Sequence, residues 1–401
     1  MAWFLSERPS YSFLQALLLA LCVIVFIVPS TALAQDSTLS TDDAPTPGWR
    51  YEFQRKYELF RDYGHDWRLG ILFGLNSEDG LILGAGPILY HFGFRTFPCV
   101  SRMELTGGIS SSTARYKVAY EGLWPALSQH TSFELKTHVS QLEVRNFYGF
   151  GNESQRDEQR EEDGFYRVSP QEYFARGILS YRLNGSSSVG LGALVRDFSV
   201  GTNTNRYLSG GSSTLASVGA VFVVDARDHP MAPHGGMYLR VEGWNTWRLR
   251  DNLSSFQKVM GDVRFYYGDT VLTDIMVGVR FHGEVLNGTR FPFFEAAFLG
   301  GAGSLRGFSA QRFAGDAMAF ANTEIRFSVG RWFIVVPTEV GLFLLCDAGR
   351  VWMDGDSPGG LHTDTGAGIW LAPLSRDFII SLGLASSIDG VFAFGGVGFG
   401  F

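Results

Sequence analysis

The sequence predicts an all-β protein: a transmembrane antiparallel β-barrel of about sixteen strands, with a long inward-folded loop between strands eleven and twelve. Three observations carry this. Apolar and polar residues alternate in period two from about Trp67 to Phe401, the pattern of strands with one apolar and one polar face. The chain holds 49 glycines and 14% aromatic residues. After residue 34 no apolar run approaches the ~20 residues that a membrane-spanning helix needs, which excludes a helical membrane protein. A soluble sandwich alternates too, but it buries its apolar face and rarely sustains the pattern so long; a membrane barrel turns that face to lipid and its charges to a wet lumen.

Residues 1–34 read as a secretory signal peptide: Arg8 near the start, an apolar run from Phe13 to Val28, and Ala32-Leu33-Ala34 before Gln35. Cys22 follows Leu21 rather than a small residue, so lipidation is rejected, and Cys99 and Cys346 lie too far apart in sequence to imply a disulfide framework. Residues 35–66 read as a short periplasmic linker or N-terminal segment, with a Pro-containing polar start and a short amphipathic piece at 49–57; about thirty residues cannot build a core of their own. Residues 67–401 are the expected outer-membrane barrel domain.

Within it, strands are expected at 67–77, 80–92, 99–110, 113–123, 131–146, 165–182, 187–200, 214–226, 236–247, 256–268, 271–284, 317–329, 335–348, 362–373, 376–387 and 390–401. The stretch Val271 to His282 shows the rule, with Ile275, Val277, Val279 and Phe281 on one face and Asp274, Arg280 and His282 on the other. In Met237 to Glu242 the polar face is Arg240 and Glu242. Connections after even strands are mostly short, whereas 147–164, 201–213, 285–316 and 349–361 follow odd strands. An even count with a periplasmic start puts those longer loops outside the cell.

The longest connection holds Leu299-Gly300-Gly301-Ala302-Gly303-Ser304-Leu305-Arg306-Gly307-Phe308. Its glycines permit backbone conformations closed to other residues, so the loop can fold back against a wall, and Arg306 is the charge able to fasten it. Two later strands each carry an acid among apolar neighbours, Glu324 and Asp347. Strand parity places Glu324 with Asn322 and Arg326 facing the lumen, and Asp347 inward with Cys346 outward. A planar guanidinium holds carboxylates by bidentate, charge-assisted bonds, so Arg306 is expected to fold inside and pair with both acids.

The order Gly300-Gly301, Leu305-Arg306-Gly307-Phe308, Asn322-x-Glu324-x-Arg326-Phe327 and Phe343-x-x-x-Asp347-x-Gly349 resembles the C-terminal half of the BamA/TamA superfamily, the bacterial surface antigen barrels of the outer membrane. The resemblance implies a sixteen-stranded barrel whose sixth extracellular loop is tucked inside, its arginine touching acids on strands twelve and thirteen. Those roles fall on Arg306, Glu324 and Asp347. The family's periplasmic POTRA modules have no room in residues 35–66, a departure that bears on client handling. Asp225-Ala226-Arg227-Asp228 with Pro233 and Gly236 resembles the family's strand end and turn between strands eight and nine; an ordinary turn explains most of those residues. Asn146 to Asn152 resembles another family phrase, and the acidic run Glu153 to Asp163 after it reads as a solvated loop. Gly396, Phe399 and Phe401 resemble the β-signal by which such barrels are recognised for insertion, with Phe394 where a polar residue is usual.

No nucleophile elbow, metal-spaced cluster or phosphate-cradling glycine loop stands out. His229 and His234 flank a proline turn without further ligands, and no motif fixes lumenal acids or histidines as a protease or phospholipase. No catalytic residue, metal or cofactor is expected. The net charge of −7 and the lack of a basic patch argue against nucleic acid. Expected partners are outer-membrane lipid, the assembly machinery during the protein's own insertion, and an unidentified client protein or lipid; a monomer is expected. The resemblance implies help in inserting proteins, or in passing proteins or lipids, at the outer membrane of a Gram-negative bacterium through a weak seam between first and last strands. The alternative is a structural or channel barrel without clients.

Overall fold

The computed structural model describes residues 63–401 apart from 77–79, 95, 112, 143–144, 169, 201–211, 230, 250–254, 270–273, 289–290, 334–335, 356 and 377–378. The expected signal peptide and nearly all of the expected linker lie outside the described residues. One antiparallel sheet contains sixteen strands in chain order: β1 Gly64–Asn76, β2 Gly80–Gly93, β3 Thr96–Ser110, β4 Tyr116–Trp124, β5 Thr131–Ser140, β6 Pro170–Arg182, β7 Ser187–Val200, β8 Ser212–Asp225, β9 Gly235–Arg248, β10 Ser255–Asp269, β11 Ile275–Asn287, β12 Ala317–Phe333, β13 Pro337–Trp352, β14 His362–Pro373, β15 Ile380–Ser387 and β16 Gly390–Val397. Each strand pairs with the next, the meander of an up-and-down barrel. Among the described residues no ladder joins β1 to β16, and no helix is long and apolar enough to cross a membrane.

The sheet curls on itself. Strands lie about 4.8 Å apart, so in a flat sheet the start of β9 and the end of β14 would be about 24 Å from each other. Instead the ring of His234, just before β9, meets the guanidinium of Arg376, just after β14, at 2.8 Å. Phe401, beyond β16, packs on Tyr266 of β10 and Met276 of β11.

Alternation decides which face turns inward. On β13, Phe343, Leu345 and Asp347 are buried while Leu342, Leu344 and Cys346 are exposed. Exposed large apolar residues recur around the sheet, including Leu191, Tyr267, Phe281 and Leu384, a face suited to lipid. The inner face carries charge ladders: Asp262 accepts from Arg264 at 2.6 Å and Arg280 at 2.7 Å, and Lys258 meets Glu284 at 2.7 Å.

Two short ladders lie outside the sheet. Arg145–Asn146 pairs with Arg167–Val168, and Ala297–Leu299 with Phe313–Gly315. The expected strands 131–146 and 165–182 are thus too long by several residues: their ends pair with each other within the connection rather than extending the barrel. A five-residue helix, α1 (Glu158–Glu162), lies between them, capped by the Asp157 side chain.

Candidate functional site: a loop clamp inside the barrel

The described part of the β11–β12 connection, residues 291–316, packs inside the barrel. Phe293–Glu295 forms a 3-10 turn, and the Ala297–Leu299 and Phe313–Gly315 ladder makes the rest a hairpin. Its apolar side chains Phe294, Leu299, Leu305, Phe308 and Phe313 join Phe198 of β7, Leu215 of β8, Phe256 of β10 and Phe320 of β12 in the largest apolar cluster. Phe198 and Phe294 stack with centroids 4.0 Å apart. The hairpin tip turns back at Gly300 and Gly301, with φ of 117° and 93°. A Cβ at Gly300 would lie 2.5 Å from the Ser309 carbonyl oxygen, so both conformation and space call for glycine there.

This turn delivers Arg306 to the inner wall, 3% exposed. Its Nε donates to Asp347 Oδ2 at 2.8 Å and its Nη2 to Oδ1 at 2.7 Å, a bidentate fork; its backbone N–H reaches Oδ2 at 3.2 Å. Nη1 donates to Glu324. The structure therefore brings Arg306, Glu324 and Asp347 together, and Leu305 and Phe308 are buried on either side. Gly307 passes so close to β14 that a Cβ would lie 2.5 Å from Asp364 Cβ, and Ser387 donates to its carbonyl at 2.5 Å.

Several contacts of the site were not expected from the sequence. Asn322 donates to Ser304 O at 2.6 Å and to Asp347 Oδ1 at 2.8 Å, tying loop and wall. Arg326 donates to Glu324 Oε2 at 2.7 Å, stacks 3.7 Å over Phe399 and reaches the Phe401 carbonyl at 3.2 Å. Both share the lumenal face of Glu324, so parity placed them without naming their partners. Asp364 lies opposite Asp347 in the β13–β14 register, a pairing that strand ranges alone do not announce.

The long β5–β6 connection covers the clamp. Asn152 holds Val351 of β13 by two bonds, Nδ2 to Val351 O at 2.9 Å and Val351 N to Oδ1 at 3.0 Å, while Gly151 N reaches Ala314 O at 2.8 Å. Glu161, in the acidic run, is no freely solvated charge. It accepts from Tyr148 at 2.5 Å, from Ser309 of the clamp loop at 2.8 Å, and from Arg156. Burial favours its neutral form, but those donors outweigh burial and hold the carboxyl below the usual range. Arg312 joins Asp389 at 2.6 Å to Ser154 at 2.8 Å.

The other sequence motifs lie apart from the clamp. Arg227 forks onto Asp225 with two 2.8 Å bonds; Gly236, φ 102°, brings its α-carbon against Ala226, and a Cβ there would lie 2.1 Å from Ala226 O. Pro233 lines a small cavity with His234 and Trp370. Gly396 lies in β16. Phe399 and Phe401 follow it and turn into the lumen. The ring nitrogen Nδ1 of His229 accepts from Ala232 N at 3.1 Å, and His234 Nε2 meets Asp274 at 2.6 Å. Among the described residues no three His, Cys, Asp or Glu side chains are grouped to hold a metal ion.

A transmembrane barrel holding a long loop in its lumen, its buried arginine bonded to acids on the two following strands, is the class that fold and site define. The chain belongs to the Omp85 superfamily: that superfamily's domain matches residues 104–385, a span containing Arg306, Glu324 and Asp347. Among solved structures it is similar to BamA from Haemophilus ducreyi lacking POTRA domains 1–3, with a TM-score of 0.57 and 15% identity over 84% of this chain and 70% of that one. It is similar also to CdiB from Escherichia coli, with a TM-score of 0.55 and 16% identity over 84% of this chain and 63% of that one. Identities this low speak to the fold. The chain thus spans less than two thirds of that CdiB chain. No curated protein sequence is significantly similar. It is an outer-membrane β-barrel of the Gram-negative type.

Proposed function

We propose that this barrel assists the insertion or passage of proteins or lipids at the outer membrane, with the Arg306 loop as the internal element that its activity depends on. The observation that supports this most is the buried fork of Arg306 onto Asp347, with Glu324 as second partner. A long loop anchored across the lumen by buried charges, which are expensive to desolvate, suits a barrel whose interior is held obstructed better than a plain open channel. Asp225, Arg227 and Gly236 shape the β8–β9 turn; Gly396, Phe399 and Phe401 serve recognition during the protein's own insertion. Residues 1–34 are removed as a signal peptide, the mature chain starts at Gln35, and the barrel works as a monomer with no catalytic residue of its own.

Crosslinking in native outer membranes, followed by capture of the barrel, tests the client-handling role. The wild-type protein should yield defined partners that Arg306→Ala loses while still inserting and folding. A barrel that captures only bulk porins and lipid, equally with and without Arg306, belongs to the structural or channel class instead.

A further inference from the structure

The clamp loop leaves β11 and returns to β12, yet two of its buried charges reach away from that stem in opposite directions. Arg306 reaches forward to Asp347 of β13. Glu295, in the 3-10 turn, reaches back to β7: it is 8% exposed, and Arg196 Nη1 donates to its Oε1 at 2.5 Å. In the sheet order β7 lies four strands before β11 and six before β13, so the curled sheet sets the two partners on different walls of the lumen.

The wall at β7 is built to receive an acid. Arg196 Nε lies 3.0 Å from Glu172 of β6, itself 2% exposed. The guanidinium stands 5.4 Å from the ring centre of Phe174, which is opposite Arg196 in the β6–β7 register, and His138 of β5 stacks on that ring at 4.8 Å. An arginine already held by an acid and a ring has little rotamer freedom left to lose, and its fork keeps a donor for a second carboxylate. On the other side Lys258 of β10 lies 3.9 Å from Glu295 Oε2 and 2.7 Å from Glu284 of β11. Beside Glu295, Phe294 stacks on Phe198, two residues along β7 from Arg196, with ring planes 20° apart. A charge-assisted bond and an aromatic stack therefore fall on one strand, and a carboxylate as buried as Glu295 needs partners of that kind.

We propose that Glu295 is a second anchor of the loop, held by Arg196 on the wall away from the Arg306 clamp, and that Arg196 and Glu295 are positioning residues for the loop's action. The loop is then a strut fixed at two walls, its anchors separated by the short ladder between Ala297–Leu299 and Phe313–Gly315. When Arg306 lets go, the tip at residues 300–312 moves while residues 291–299 stay seated on β7. This deepens the reading of the loop as the element on which activity depends, and rests on it.

Hydrogen exchange followed by mass spectrometry, on folded barrels in nanodiscs, reads the two ends of the loop separately. Arg306→Ala should raise exchange of residues 300–312 about tenfold or more and leave 291–299 within about twofold of wild type. Glu295→Ala should do the reverse, and the wall behind it stays paired, since Arg196 keeps Glu172 and Lys258 keeps Glu284. Glu295→Gln retains an acceptor for Arg196 without the charge that strengthens the bond, so its exchange at 291–299 should fall between wild type and Glu295→Ala. If Arg306→Ala loosens 291–299 as far as 300–312, or if Glu295→Ala leaves 291–299 at the wild-type rate, the loop has one anchor and the proposal is wrong. Glu295→Gln as loose as Glu295→Ala would likewise overturn the bond from Arg196. Arg306→Ala leaving 300–312 unchanged defeats the clamp reading instead, while Glu295→Ala still reports whether β7 holds the loop.

Discussion

At the scale of single residues, the clamp is a set of charges that cannot be removed one at a time without consequence. The side chains of Arg306 and Asp347 are 2% and 0% exposed. Truncating one member of such a pair strands the other, at a typical ~3–5 kcal/mol for a buried pair. Arg306→Ala should therefore free the loop and make residues 300–312 sensitive to added protease. Arg350→Ala should do much less, since Arg350 lies near the end of β13 and bonds to Ser357 O at 3.1 Å. A double-mutant cycle between Arg306 and Asp347 measures the coupling itself; simple additivity of the two losses would show that the residues act independently. Glu161 gives a pH dependence. Its carboxyl is held below the ordinary range by Tyr148, Ser309 and Arg156, so its contribution is complete above the unfolded value of about 4.3. It is lost as pH falls through the lower folded value. Hydrogen exchange of residues 147–163 should rise on acidification below about pH 4, and Glu161→Gln should show that loosened state already at neutral pH.

At the scale of elements, most of the barrel was readable because a strand's two faces meet two solvents, so alternation survives even where side chains differ. Glu324 and Asp347 could be placed inward from Ile325, Cys346 and their neighbours alone. Where the reading overran, alternation persisted without a neighbouring strand to pair with: Arg145–Asn146 and Arg167–Val168 keep strand conformation but bond to each other. Likewise β15 begins at Ile380 and β16 ends at Val397, since Phe399 and Phe401 bury their rings on Trp370, Tyr266 and Met276 rather than continue the ladder. The site was legible only in its charged centre. Asn152 meets Val351, and Arg312 meets Ser154 and Asp389, across long sequence separations, and no local spacing announces such contacts. Gly307→Ala tests the element's fit: the added methyl would meet Asp364 Cβ at 2.5 Å, and the loop should detach about as far as with Arg306→Ala despite an unchanged charge set.

At the scale of the whole molecule, the fold defines a lumen wide enough for water and a loop that occupies it. The lipid-facing belt and the lumenal charges place the protein in the outer membrane. Membrane fractionation with mass spectrometry of the N-terminus should find it there, beginning at Gln35. The central claim is that the loop anchored by Arg306 obstructs the lumen, and conductance in planar bilayers tests it most directly. The intact protein should give small or fluctuating currents, Arg306→Ala larger ones, and deletion of residues 300–312 the largest. A large, steady current from the intact protein, unchanged by either variant, would contradict it.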